Sequence, residues 1–485
     1  MSGWLIRGLL ILGIFTLVWL AVIYSWSATS RIPNAADVAF YFIAAPLALL
    51  IGIWLIAKVW GLAISQSKVS APTADSTLQG ASDVDRTAEQ ERGLSIAILA
   101  SAIKVTHGSS VGELTAKIAL NEASLNLDPD LTDSNGFPIL TGRIIEIDET
   151  AQLNALSEWT IANKKFSMDW TSEQLRAISI GSDVLTELAQ QAANHPQLET
   201  YLNAQADNQN FNLLPSLQLI ALLPETWEIE KRNYVVDWFS HLIQEQGWPA
   251  EKITLRSEQQ SLSIRGVVAI DRLMLDTFRL TQPCFGIVIA CESNVGEATI
   301  ENWESSGKLF AGQNTNSVIP GEGAAGLLLA DAHHTDLIAT ETSAKLHRVV
   351  QNRRSKSADA GGQVSDQLLI EMVQDALAIS KVSVEEINFI CSDTDHRASR
   401  VTELLSMGYK IFPELDSNKQ YFKLTGNCGD IGIVASLAAL ALGHHQVISE
   451  TASSLCISNI DSHERTVAVL SPWISATTPV EATSI

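Results

Sequence analysis

"IPGEGAAGLLLAD", Ile319 to Asp331, decides how this chain is read. Gly321, Gly323 and Gly326 spell G-x-G-x-x-G, the dinucleotide-binding fingerprint. That fingerprint holds a pyrophosphate only when a strand precedes the glycines and a helix begins at them, because amides at the helix N-terminus carry the contact. Here "AGQNTNSVIP" precedes them, polar and closed by Pro320, which reads as a loop. "AGLLLAD" follows, one short apolar run ended by turn residues, which reads as a strand. Both halves of the required context are absent, so no nucleotide cofactor is expected. The sequence is assigned instead to a structural turn of Gly321, Glu322, Gly323 and Gly326. In it, glycine permits backbone geometry that a Cβ would block, and Glu322 is tied into the turn.

Around this stretch the texture alternates. "LSIAILAS" (Leu94–Ser101) is a short apolar run consistent with a buried strand. In "SSVGELTAKIALNEASL", Ser110 precedes Glu113 by three residues, a capping-box spacing, and helical periodicity follows. "LLPSLQLIALLPE", "FGIVIACES", "INFICSD" and "RTVAVLSPW" read as strands, and "YVVDWFSHLIQEQGW", "GVVAIDRLMLDTFRL" and "SDQLLIEMVQDALAISKV" read as helices. "IGIVASLAALALGHH" is apolar on nearly all sides and predicts a buried helix. Strands alternating with helices predict α/β layers.

The chain has 485 residues, 46% of them hydrophobic, and a formal net charge of −22 from 54 acidic and 32 basic residues. Nucleic-acid binding needs clustered Lys and Arg, and this balance argues against it. The cysteines, Cys284, Cys291, Cys391, Cys428 and Cys456, are odd in number and show no C-x-x-C pair. That fits reduced thiols better than a disulfide framework. The ten histidines are scattered, and no metal site is expected.

The first 64 residues differ from the rest. Leu5–Trp26 is an apolar run with one charge, Arg7, and 38–64 is a second, interrupted by Pro46 and Lys58. Each is long enough to span a bilayer core of roughly 30 Å. Trp4, Trp19, Trp26, Trp54 and Trp60 cluster here, several of them near the ends of the runs, where indole rings favour the headgroup zone. A cleaved signal peptide is the alternative, but no small-residue cleavage site precedes the second run, and the first is long for one. The reading is a membrane anchor, 1–64, of two transmembrane helices, about 5–26 and 38–64. Arg7 flanks one end and Lys58 and Lys68 the other, while the connector carries only Arg31. Both termini are therefore expected in the cytoplasm, with the anchor in a bacterial inner membrane. Residues 65–92 are poor in large apolar side chains and read as a flexible tether.

With these pieces in order, a resemblance emerges. "WESSGKLFAGQNTNSVIPGEGAAGLLLAD" resembles the stretch of β-ketoacyl synthases that carries G-E-G-A-G before a strand. "LSIAILASAIKVTHGSSVGELTAKIALNEASL" resembles the opening strand, loop and first helix of that family. "INFICSDTDHRASRVTELL" resembles its histidine-bearing strand and loop. "YFKLTGNCGDIGIVASLAALALGHH" resembles its lysine-to-glycine-histidine loop and buried helix. The similarity runs from about Gly93 to Trp473. It implies a thiolase-like five-layered αβαβα fold, preceded here by the transmembrane hairpin, with halves at 93–332 and 333–485 and a dimeric assembly.

The resemblance also implies a Cys-His-His constellation, and each position is changed. The cysteine position falls at about Ser263, the first histidine at about Asp393, and the second near Cys428 to Asp430. No histidine occurs between Tyr421 and Gly443. Two rescues are open. Ser263 and His396 with Asp393 or Asp430 would form a hydrolytic set; against it, Ser263 is a helix cap and His396 an exposed loop residue. Cys428 would be a displaced nucleophile; against it, Cys428 is a buried core thiol. An acidic acyl carrier protein would be repelled by the net charge unless the run of Arg348, Arg353, Arg354 and Lys356 forms a docking patch rather than a solvated loop. The expectation is a catalytically inactive, membrane-tethered scaffold or adaptor without cofactor or acyl carrier protein, and the alternative is a membrane-anchored acyl-transfer or hydrolytic enzyme using Ser263 and His396.

Overall fold

The structure is a computed structural model that describes residues 88–206, 214–257, 265–338, 343–362 and 364–474. The membrane helices expected at about 5–26 and 38–64 lie outside the described residues. So does all of the 65–92 tether except 88–92, which are helical and clamped: Arg279 pairs with Glu91 at 2.6 Å, and Arg348 donates to the Glu91 carbonyl at 2.6 Å. The described residues belong to one compact unit.

The first half carries five sheet strands. They are β1 (Ser95–Val105), β4 (Leu217–Leu222), β5 (Ile253–Ser257), β6 (Phe285–Ser293) and β7 (Glu322–Ala330). A separate hairpin, β2 (Asn126–Thr132) with β3 (Pro138–Thr141), falls between β1 and β4. The second half carries β8 (Ala344–His347), β10 (Ile387–Ser392), β11 (Tyr421–Lys423), β12 (Ser453–Ser458) and β13 (Glu464–Pro472), and β9 (Val350–Arg353) pairs with β13. From the middle outward the first half runs β1-β7-β6-β4-β5 and the second β8-β13-β12-β10-β11. The directions repeat as well: β1/β7 and β7/β6 are antiparallel, β6/β4 and β4/β5 parallel, and the second half copies each pairing. β1 and β8 pair antiparallel at the centre and join the two halves. The chain is thus a structural duplication.

Helices separate and cover these sheets. α1 (Val111–Ala119) follows β1, its N-terminus capped by Ser110. α2 (Glu149–Ala162), α3 (Ser172–Ala193), α4 (Pro196–Ala206) and α5 (Ile229–Glu245) belong to the first half. The 22-residue α3 opens with a Thr171–Gln174 capping box, which satisfies amides that a helix start leaves without partners. α6 (Arg265–Leu280) lies before β6, α7 (Glu297–Ser305) and α8 (Ala332–Ile338) flank β7, and α9 (Gln367–Ser380) and α10 (Ala398–Ile411) belong to the second half. The short α11 (Leu424–Cys428) leads to α12 (Ala435–Glu450).

Burial sorts these elements into layers. Val267, Ile270 and Leu273 of α6 and Leu437, Ala438 and Ala441 of α12 share one apolar core with the inner faces of both sheets. A second core packs α3 and α5 on the outer face of the first sheet, and a third packs α9 and α10 on the outer face of the second. The order is outer helices, one half of the sheet, the inner helices α6 and α12, the other half of the sheet and outer helices. Among the described residues, one helical stretch, Gly432–Glu450, is long and apolar enough to cross a membrane, and 78% of its most apolar window is buried inside the protein. Enclosure between two sheets accounts for its composition.

The glycine stretch corrects the expectation of a turn. Glu322, Gly323 and Gly326 lie inside β7, and none of the four residues has positive φ. Glycine is needed for close approach instead. A Cβ on Gly323 would come within 2.8 Å of Val105 Cγ1, and one on Gly326 within 2.6 Å of Leu188 Cδ1. At Gly321 three segments cross: the Gly142 amide donates to the Pro320 carbonyl at 2.7 Å, and the Asp430 amide donates to the Ile319 carbonyl at 2.7 Å. A Cβ on Gly321 or Gly142 would overlap the Cys428 carbonyl oxygen. Glu322 is fully buried, and its carboxylate takes Arg176 at 2.5 and 2.9 Å, the Ile144 amide at 2.7 Å and the Ser293 hydroxyl at 2.8 Å.

Candidate functional site

Of the positions that the resemblance assigns to catalysis, Asp393 follows β10, and Cys428 to Asp430 lie at the end of α11 and in the loop before α12. Ser263, with 258–264, lies outside the described residues.

Asp393 follows β10 directly and is completely buried. Its carboxylate accepts from the Ser458 hydroxyl, from the Asn459 amide at 2.8 Å and from the Ile460 amide at 3.1 Å, while its carbonyl accepts from the Thr425 hydroxyl. The neighbouring side chains are engaged in the same way. Thr394 donates to Asn459 at 2.7 Å, and Asp395 accepts from Arg397 at 2.6 Å. The loop after β10 is therefore stitched to the loop between β12 and β13. Burial pushes the Asp393 carboxyl up to about 6, with its hydrogen bonds and Arg465 pulling the other way. A carboxylate held by three donors is a fastener for backbone, and when ionised it has no proton to give to an oxyanion.

His396 is half-buried. Its ring meets Phe310 edge-on at 5.2 Å, and its Nε2 is buried with no hydrogen-bond partner. Cys428, at the end of α11, is fully buried, and burial pushes its thiol up to about 12. Such a thiol carries negligible thiolate near neutrality, so Cys428 is placed as a core residue. Asp430 is half-buried, caps the Gly432 amide at 2.9 Å and gives its carbonyl to Asn294 at 2.9 Å. Nearby, Glu292 at the end of β6 accepts from the Ile433 amide at 2.8 Å and lies against the bare backbone of Gly432, whose φ is +55°. Glu292 supports the turn that opens the central helix.

The cavity beside α6 and α12, lined by Val267, Ser436, Cys456 and Ser458, has a volume of about 10 Å³, room for at most one water. A larger cavity of about 540 Å³ lies farther out, among Lys308, Asp359, Arg397 and Thr402, and neither Asp393, His396 nor Cys428 lines it.

The three arginines of the basic run pair with carboxylates of the same chain, and Arg353 stays exposed. Arg348 binds Asp271 at 2.7 and 3.0 Å, Arg353 pairs with Glu464, and Arg354 pairs with Glu403. Lys356 reaches only the Gly361 carbonyl, at 3.4 Å. Of these residues Arg353 lies in β9 (Val350–Arg353) and is exposed, while Arg354 and the exposed Lys356 follow the strand. Among the described residues, no group of three or more His, Cys, Asp or Glu is placed to hold a metal ion.

Sequence reasoning missed the clamp formed by Ser458, Asn459 and Ile460, and the Arg176 partner of Glu322. Both depend on long-range contacts, and only the capping box before Arg176 had a local signal.

No protein-family model matches the chain, and no curated protein matches it. Solved structures do. "The ishigamide ketosynthase/chain length factor" is 12% identical with a TM-score of 0.51, over 78% of this chain and 99% of that one. The ketosynthase from module 6 of the bacillaene synthase of Bacillus subtilis is 11% identical with a TM-score of 0.53, over 78% and 72%. That from module 1 of the bacillaene synthase of Bacillus amyloliquefaciens is 12% identical with a TM-score of 0.51, over 81% and 75%. At such identities the likeness is one of fold: the described region has the ketosynthase, thiolase-like fold.

Proposed function

We propose that the chain is a membrane-tethered ketosynthase-like protein whose condensing centre performs no chemistry and which serves as a scaffold or adaptor in a membrane-associated assembly. The observation that carries this reading is Asp393. At the position of the first histidine stands a buried carboxylate that accepts hydrogen bonds from Ser458, Asn459 and Ile460. The buried Cys428 thiol supports it. The anchor places the assembly at a bacterial inner membrane with the folded region in the cytoplasm. Its partner is a second copy or another protein. β5 ends the order of the sheet, where an edge strand is open to pairing. Docking of an acyl carrier protein is disfavoured, because the arginines that would form its patch already hold internal carboxylates.

One observation favours an acyl-transfer or hydrolytic enzyme using Ser263: the orphaned Nε2 of His396. A single experiment separates the two. The full-length chain in detergent micelles is incubated with acyl-thioester and ester probes, and adducts are mapped by mass spectrometry. The scaffold reading expects none on Ser263 or Cys428. A stoichiometric adduct on Ser263 that disappears in Ser263→Ala would overturn it.

A further inference from the structure

A second constellation lies away from these positions, at the open edge of β1. β8 pairs only with Ser95–Ile98, so from Leu99 onward β1 is flanked by β7 alone. The β1/β7 register shifts between Ile98 and Ala100. Such an irregularity bends a strand and re-aims its side chains. Just past it a cavity of about 340 Å³ opens, and Ser101, His444 and the first residues of α1 line it. Ser101 Oγ lies 2.8 Å from Nδ1 of His444 on α12. His444 is only 4% exposed, while Ser101 is half-buried, so the hydroxyl stands in front of a sheltered ring.

We propose that this cavity is a hydrolytic site for small uncharged esters or thioesters, with Ser101 as nucleophile and His444 as general base. A serine hydroxyl becomes a competent nucleophile when an adjacent base takes its proton, and the pair stands within that reach. Val111 and Gly112, the first two residues of α1, line the same cavity. Amides in a first helical turn have no acceptor within their own helix, and Ser110 takes only that of Glu113. They supply N–H groups and a positive dipole end where an oxyanion would develop.

The lining sets the substrate class. Leu99, Leu188 and Ile448 provide apolar wall, and Glu187 is its one acidic residue. Burial raises the proton affinity of Glu187 and lowers that of His445, so both are biased toward the neutral form. Neither Lys nor Arg lines the cavity, so no side-chain cation there would neutralise a phosphate. Phosphorylated thioesters are disfavoured, and a short neutral acyl group fits the volume.

The steps balance. Ser101 Oγ bonds to the carbonyl carbon as its proton passes to His444 Nδ1, and the carbonyl π pair moves onto oxygen. Collapse of the intermediate breaks the bond to the leaving group, which takes the proton from His444. Water then attacks the acyl-serine ester, gives its proton to His444 and releases the acid, and Ser101 recovers its proton.

This site stands independently of the scaffold reading. The test uses the full-length chain in detergent micelles, a fluorophosphonate label mapped by mass spectrometry, and p-nitrophenyl acetate turnover. Label is expected on Ser101. Turnover is expected to vanish in Ser101→Ala, to fall about 10²-fold or more in His444→Ala, and to persist in Ser263→Ala. The proposal is overturned if folded wild-type protein, judged by its thermal melt, takes no label on Ser101 and turns over substrate no faster than Ser101→Ala.

Discussion

At the residue scale, Asp393 shows how a fully buried carboxylate is held. A carboxylate sealed from water is costly when ionised, and three hydrogen bonds offset only part of that cost. Its affinity for a proton is raised in the folded state, from 3.8 to about 6. The folded protein therefore holds this proton over a range where the unfolded chain has released it, and stability from this group falls as pH rises from about 4 to about 6. Asp393→Asn keeps the shape and the acceptor for Asn459 and Ile460, and its amide can donate to Ser458. The variant is expected to unfold at higher urea than wild type at pH 7, by an amount corresponding to about 3 kcal/mol at most. The difference should shrink toward zero near pH 4. A variant less stable than wild type at pH 7 would show that the negative charge itself holds the loop.

At the scale of elements, the stretch Ile319–Asp331 teaches how glycine should be read. Its loop-then-strand context was legible from polarity and Pro320, and that context removed the nucleotide. The turn was a misreading, because glycine inside a strand also marks close approach of another backbone. That backbone, Cys428–Asp430, is distant in sequence and left no local trace. α3 opens on a Thr171–Gln174 capping box, and its Arg176 becomes meaningful only beside Glu322. Gly429 has φ +76°, and a Cβ there would come within 2.6 Å of the Pro320 carbonyl oxygen. Gly429→Ala therefore combines left-handed strain with an overlap that backbone must move to relieve, a loss of about 1–3 kcal/mol. A lowered urea midpoint with unchanged slope is the expected result, and an unchanged midpoint would mean that the crossing is looser than described.

For the whole molecule, alternating strands and helices made the layered α/β class readable, and the order of the resembling segments gave the duplication. What could not be read was the pairing of β1 with β8, which joins the halves and rests on register alone. Charge bias around the two apolar runs gave a topology. A phosphatase and a fluorescent-protein reporter fused in turn after Ile485 should report fluorescence without phosphatase activity in a bacterial host. Active phosphatase would place the folded region on the opposite side of the membrane and remove the cytoplasmic assembly from the proposal.

The crossing at Gly142, Gly321 and Asp430 also imposes an order in time. Synthesis delivers Gly142 first, the Pro320–Gly321 segment much later, and Asp430 last. Until Asp430 leaves the ribosome, the Ile319 carbonyl and the Gly321 amide lack the backbone partners they have in the finished fold. The first half thus emerges with an incomplete seam, and only its successor closes it. Although the chain is built as a duplication, its halves are not interchangeable beads on a string. The earlier one waits for the later, and a nascent chain arrested between them would expose the inner face of its sheet to chaperones or to aggregation.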